Sequence, residues 1–263
     1  VYKRQIYSNL KSIPIFLTDY GGGGKNFSRI LNTGYFIDYY LLLSRFSSIK
    51  FLKYRKPIKI IYGGVDISKF RKISVQKDEH KILFVGRILP HKGIDYLVRA
   101  VQNTSAHLTI IGKPFDLKYL HFLKTLDKNN KVTFKFSISD KDLVKEYNTS
   151  LVTVLPSVYV DYRGNYYSQP ELLGLTLLES MACGTPVICT NVGGMPEIVD
   201  EGKTGFIVPP NNPKAIQDRI NYFLDNPYEA RRLGENGLKV IHQKFTWDHV
   251  AKRVLSVYCN YYC

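Results

Sequence analysis

The chain has 263 residues, enough to bury a good core in one large or two small domains. Lys plus Arg total 37 against 22 for Asp plus Glu, a formal net charge of +15, so an anionic partner is expected: nucleic acid, a membrane surface or small ligands. No arginine-rich tail, zinc-ligand spacing or RNA-binding aromatic signature is present, which sets nucleic acid aside, and no apolar run reaches the roughly 18 residues of a spanning helix.

Residue 1 is Val, and the methionines are Met181 and Met195, so the chain is expected to be a fragment or a processed piece. No signal peptide is visible. Cys183 and Cys189 fall in apolar stretches and, with Cys259 and Cys263, form no metal or disulfide spacing. A reducing cytosol is the expected compartment.

Residues 1–66 read as the end of a domain whose start is missing. Ile13–Thr18 is a strand, followed by Gly21–Gly24, either a site of close backbone approach or a flexible turn. A short strand over 38–44, a helix over 45–54 and a strand and turn over 59–66 follow. Between Arg45 and Lys59, basic residues alternate with aromatics (Phe46, Phe51, Tyr54), as a membrane-facing surface or a solvated charged face would. Residues 67–80 are polar and read as a linker.

From Lys81 the pattern changes. Ile82–Val85 is a continuous apolar strand, as in a parallel sheet covered on both faces. The loop Gly86–Gly93 leads to a helix with Ile94, Leu97, Val98 and Val101 on one face. Strands at 107–112, 131–136 and 151–155 alternate with helices at 117–126 and 140–147. The expected fold is α/β, a doubly wound parallel sheet. A long loop, 156–170, carries Tyr159, Tyr162, Tyr166 and Tyr167, which either stack on a sugar or cover the sheet end. Helices at 213–224, 228–244 and 247–258 end the chain.

The most informative stretch is Gln169 to Thr190. Leu175, Leu178 and Ala182 have helical spacing, Gly184 stops the helix, and 186–189 forms a buried strand. Gly174 permits close approach, and the free N–H groups of Leu175 and Thr176 make the helix start a phosphate site. Glu179 lies about 6 Å along the axis from Leu175, a distance suited to a ribose whose diphosphate sits at the helix tip. Glu171 lies on the far side, where a sugar would be. The plainer alternative makes Glu171 a dipole-complementing acid and Glu179 a solvated helix residue. Arg87 and Lys92 sit at the carboxyl end of the first strand of this domain, the edge where open α/β sheets bind ligands. They can stabilise the charge of a departing diphosphate as a fork of donors and a point charge, without a metal; no Asp-x-Asp spacing accompanies them.

The run Glu171–Glu179, with Ala182-Cys183-Gly184-Thr185-Pro186-Val187-Ile188, Gly193-Gly194-Met195-Pro196-Glu197 and Gly202–Pro210, resembles the family-4 retaining glycosyltransferases, as does the Gly86-Arg87…Lys92-Gly93 phrase. The resemblance is specific over residues 57–262 and loose before that. It implies the GT-B fold: an N-terminal acceptor-side domain (here 1–66), a linker (67–80), a donor-binding domain (81–245) and a C-terminal helix (246–263) crossing back, with Trp247 as a packing anchor.

The resemblance further implies transfer of a sugar from a UDP- or GDP-linked donor to a glycan or lipid acceptor with retention, and no cofactor. Arg87 and Lys92 would hold the diphosphate beside Gly86, Glu179 the ribose and Glu171 the transferred sugar, with the Leu173-Gly174-Leu175-Thr176 backbone as cradle. The family's front-face route needs no enzymic nucleophile. A nucleotide-sugar epimerase of the same fold and a non-catalytic nucleotide-sugar-binding fragment are the alternatives. Departures from the pattern are Leu173, where many relatives have Phe, Phe136, where a Gly often ends the strand, and Tyr20, where His is frequent.

Overall fold

A computed structural model describes residues 13–19 and 33–262. Tyr20, the Gly21–Gly24 run and Cys263 lie outside the described residues. Two parallel sheets organise the molecule. The first contains β1 (Phe16–Asp19), β2 (Tyr39–Leu42) and β3 (Ile58–Ile60), in that order. The second has six strands in the order β6-β5-β4-β7-β8-β9. They are β4 (Asp78–Val85), β5 (His107–Ile111), β6 (Val132–Lys135), β7 (Ser150–Leu155), β8 (Val187–Thr190) and β9 (Gly205–Val208), all paired in parallel.

Parallel strands need crossovers, and helices supply them. They are α2 (Ile94–Gln102), α3 (Leu117–Leu126), α4 (Asp140–Thr149) and α5 (Leu175–Ala182), followed by α6 (Pro213–Asp225) and α7 (Pro227–Lys244). The α/β doubly wound sheet expected from the sequence is the fold. Because helices cover both faces, Ile82, Leu83, Phe84, Val152 and Val154 are buried without alternation.

The last helix, α8 (Trp247–Tyr262), leaves this domain. Its Val250 and Val257 pack with Leu41 and Ile61 of the three-stranded unit, and Tyr258 meets Phe16 edge-on at 4.6 Å. Trp247 covers Gly64, where a side chain would collide with the indole.

Three differences from the sequence reading have local causes. Residues 78–80 belong to β4 rather than to the linker, because Asp78 pairs with Ser150 ahead of a register irregularity. Gly205–Val208, read only as motif, is the edge strand β9 beside β8. The helix expected over 45–54 is split into α1 (Arg45–Ser48) and a 3-10 turn, Ile49–Tyr54. Phe51 and Tyr54 both reach Tyr40, at 4.7 and 5.8 Å, and 3-10 geometry places residues three apart on one line.

Candidate active site

Chain order places the site. From β4 the chain winds outward through β5 and β6, then crosses back to β7 on the other side of β4. That reversal is a topological switch point between the loops after β4 and β7, and at such points open sheets take their ligands in a crevice. The loop after β4 ends in a 3-10 turn, Pro90–Lys92, and Gly93 at φ 63°. A Cβ on Gly93 would overlap the Pro156 carbonyl, so only glycine lets this turn press against the loop after β7. Val158 N–H donates to the His91 carbonyl at 2.9 Å and ties the two loops together.

The pressed turn delivers Lys92 to Glu171. Nζ donates to Oε2 at 2.6 Å, with side chains only 10% and 15% exposed. An ammonium has three N–H donors, so this bond leaves donors for a second anion. Arg87 is exposed and forms no hydrogen bond or salt bridge among the described residues. Arg87 shares its loop with Lys92, and both cations act on His91. Burial, then the cations Lys92 and Arg87, lower the His91 imidazole to about 4, against the opposing pull of Glu171 and Asp161.

Glu171 is set at the helix tip by its backbone. Gly194 N–H donates to the Glu171 carbonyl at 3.2 Å, and Gly193, at φ 61°, packs so closely on that carbonyl that a Cβ would overlap it. Helix α5 starts after Gly174, which has no side chain to cap it. Its first N–H to find a backbone acceptor is Leu177, bonded to Gly174 at 2.9 Å. The N–H groups of Leu175 and Thr176 are therefore free of backbone partners, as a helix start leaves them. Leu173 differs: its side chain is buried and packs against Gly63.

On the flank of α5, Glu179 Oε2 accepts from the Tyr147 hydroxyl at 2.7 Å. Burial raises the Glu179 carboxyl above its ordinary value, and the tyrosine bond opposes that shift. No hydrogen bond reaches Oε1 among the described residues. The structure thus brings Lys92 to Glu171, three residues before the tip of α5, with Arg87 exposed on the loop that carries Lys92 and Glu179 on the flank of the helix. Among the described residues, no three His, Cys, Asp or Glu side chains cluster as metal ligands would.

The long loop after β7 is built around one carboxylate. Asp161 accepts from the backbone N–H of Arg163 and Asn165 and from the Tyr167 hydroxyl. Its tyrosines divide accordingly. Tyr162 stacks on Phe122 at 4.3 Å, Tyr167 lies 4.9 Å from the His91 ring, and the Tyr159 hydroxyl accepts from Gly193 N–H. Tyr166 is left 70% exposed. Most of these rings hold the loop in place.

Sequence reasoning missed Tyr147, Ser44 and Glu197. Ser44 caps α1 by accepting from Ser47 N–H and also donates to the Leu172 carbonyl at 2.6 Å. The Glu197 carboxylate accepts from the N–H groups of Arg45 and Phe46, both at 2.9 Å. The signal for Ser44 was its spacing from Ser47 before a short helix. Glu197 lies 152 residues from Arg45, and no local pattern exposes such a pairing.

The profile of the family described as glycosyl transferases group 1 matches residues 66–240. An uncharacterised glycosyltransferase of Methanocaldococcus jannaschii is 34% identical over 219 residues, 76% of this chain and 53% of its own length. The chain therefore spans about half of that relative. A sucrose-phosphate synthase from Thermosynechococcus elongatus superposes with a TM-score of 0.73 at 27% identity, over 86% of this chain and 59% of that one. HepE from Anabaena, in complex with UDP and glucose, gives 0.79 over 97% of this chain and 74% of its own, with 18% identity. That last likeness is one of fold. The neighbours are GT-B proteins, the architecture expected from the sequence.

Proposed function

The chain belongs to the glycosyl transferases group 1, and from that premise we propose that it grips a nucleoside diphosphate sugar and transfers the sugar, with retention and without a metal, to an acceptor hydroxyl on a glycan or lipid. The observation that carries the reading is the buried Lys92–Glu171 contact of 2.6 Å, held by paired loops at the uncapped start of α5. In this reading the spare N–H donors of Lys92, the fork of Arg87 and the N–H groups of Leu175 and Thr176 converge on the diphosphate. Glu171 then serves two neighbours: it orients Lys92 and accepts from hydroxyls of the transferred sugar. Glu179 offers Oε1 to the ribose.

The chemistry follows from where charge develops. As the bond between the anomeric carbon and the diphosphate oxygen breaks, negative charge grows on that oxygen, where the cations already sit. The acceptor oxygen attacks the same face, its proton passes to the departing phosphate, and the new bond keeps the original configuration. No protein nucleophile is needed. That HepE, alike in fold, is in complex with UDP and glucose supports the nucleotide part of the reading.

Calorimetry tests it without requiring an acceptor. UDP or GDP should bind this chain, and Arg87→Ala and Lys92→Ala should each weaken binding at least about tenfold, the loss of one charge-assisted contact. Unchanged affinity in both variants would remove the leaving-group assignment.

A further inference from the structure

A second surface, outside the crevice, combines bare apolar side chains with unpaired cations. The 3-10 turn Ile49–Tyr54 leaves Ile49 and Leu52 exposed at 62% and 60%. A neighbouring 3-10 turn, Thr33–Phe36, adds Tyr35 and Phe36 at 57% and 42%, with Tyr35 edge-on to Tyr54 at 5.3 Å. Around them stand Lys53, Arg55, Lys56 and Lys59, none in an ion pair among the described residues. From Tyr39 to Val65 the sequence holds no Asp or Glu.

We propose that this face docks on an anionic lipid bilayer. The charge pattern selects the partner: cations near an anionic leaflet each add attraction, and aliphatic side chains gain by entering the headgroup boundary. Phosphates of a nucleic acid would use the same cations but have no use for Ile49 and Leu52 standing clear of the surface. The 3-10 geometry matters here. It turns Phe51 and Tyr54 inward onto Tyr40 while the intervening Leu52 and Lys53 face out.

The surface is also coupled to the crevice. Lys50, on the same turn, donates to the Gln169 side chain at 3.1 Å, and Gln169 leads directly into Glu171. α1, just before the turn, is bonded to Glu197 and Leu172. A chain docked through this face would hold the crevice beside the bilayer, where a lipid-borne hydroxyl can reach it. This purpose rests on the transferase reading; the docking itself does not.

The experiment is co-sedimentation of the chain with phosphatidylcholine vesicles, with and without phosphatidylglycerol. Wild type should bind the anionic vesicles alone. Lys53→Glu/Arg55→Glu and Ile49→Ser/Leu52→Ser should each bind about tenfold more weakly or worse. Unchanged melting midpoints, and unchanged UDP or GDP binding where wild type binds them, will show that the fold and the crevice are intact. Failure to bind anionic vesicles, equal binding by the variants, preference for RNA over vesicles, or self-association lost in the same variants would each overturn the proposal. If vesicle binding behaves as expected while no nucleoside diphosphate binds, the docking face stands and the transferase reading falls.

Discussion

Glu171 and Glu179 flank one helix tip and meet opposite surroundings. Glu171 sits in a loop with a cation 2.6 Å away, whereas Glu179 lies on a buried helix flank with a phenol at 2.7 Å and a carboxyl raised by burial. The loop carboxylate is met by the Lys92 ammonium; the helix carboxylate is pushed toward its protonated form by burial and kept in check by one hydroxyl. Residue type and spacing therefore do not settle what an acid does here. The partner supplied by a distant part of the chain does, Lys92 in one case and Tyr147 in the other.

The strongest way to break the contrast is Lys92→Ala, which leaves the half-buried Glu171 without its cation and, in the proposed mechanism, removes a donor to the departing diphosphate. Turnover in an intact transferase should fall roughly a hundredfold to a thousandfold, the cost of losing one preorganised stabilising group. A transfer assay with saturating donor reads it. Lys92→Arg should recover part of the loss by restoring charge, while wild-type turnover in Lys92→Ala would mean that the ion pair is only structural.

Tyr147→Phe sharpens the contrast from the other side. Removing the hydroxyl takes away the bond that stabilises ionised Glu179, so its raised carboxyl rises further. Donor affinity that depends on Glu179 accepting from a ribose should drop about threefold to tenfold, the worth of one hydrogen bond. It should also decay with falling pH earlier than in wild type, because the protonated form appears at higher pH. Nucleotide titrations across the acid range would show both effects; superimposable pH profiles would detach Glu179 from the ribose.

Glu197→Ala probes the junction that holds the small sheet unit to the site. The N–H groups of Arg45 and Phe46 lose their acceptor, and a lost helix-start acceptor costs about 1 kcal/mol. Amide exchange should quicken at Arg45 and Phe46 and leave β4 to β8 unchanged. Global acceleration would mean that the contact stabilises the whole molecule.

Much of the second sheet was legible because physics repeats along it. Ile82–Val85 is a continuous apolar run and Leu151–Leu155 is broken only by Thr153, as strands covered on both faces should be, and Ile94, Leu97, Val98 and Val101 mark one helix face. Gly205–Val208 was hidden because four residues after a turn carry too short a pattern. At the site, Arg87, Lys92, Glu171 and the helix tip were visible as residue types at sheet ends. Their pairing was not: Lys92 and Glu171 are 79 residues apart, and Tyr147 and Glu179 are 32. Only the reversal of strand order between β4 and β7 makes those neighbours.

His91 gives the gentlest probe, since it lies within reach of Lys92, Arg87 and Glu171 and contacts the loop ring of Tyr167. Burial and the two cations hold its imidazole at about 4, below the ordinary 6.5. The unfolded chain takes up this proton first, so between pH 6.5 and about 4 acidification favours unfolding, and this contribution to stability grows as pH rises through that window. His91→Phe should flatten that part of the melting profile by roughly a few degrees. Within the folded protein, Glu171→Gln removes the anion that supports imidazolium, and the His91 titration read by NMR should move lower. Lys92→Ala removes an opposing cation and should move it higher. Shifts in those two directions would report Glu171 as an anion and Lys92 as a cation inside one shared field; a His91 titration indifferent to both would place the ring outside it.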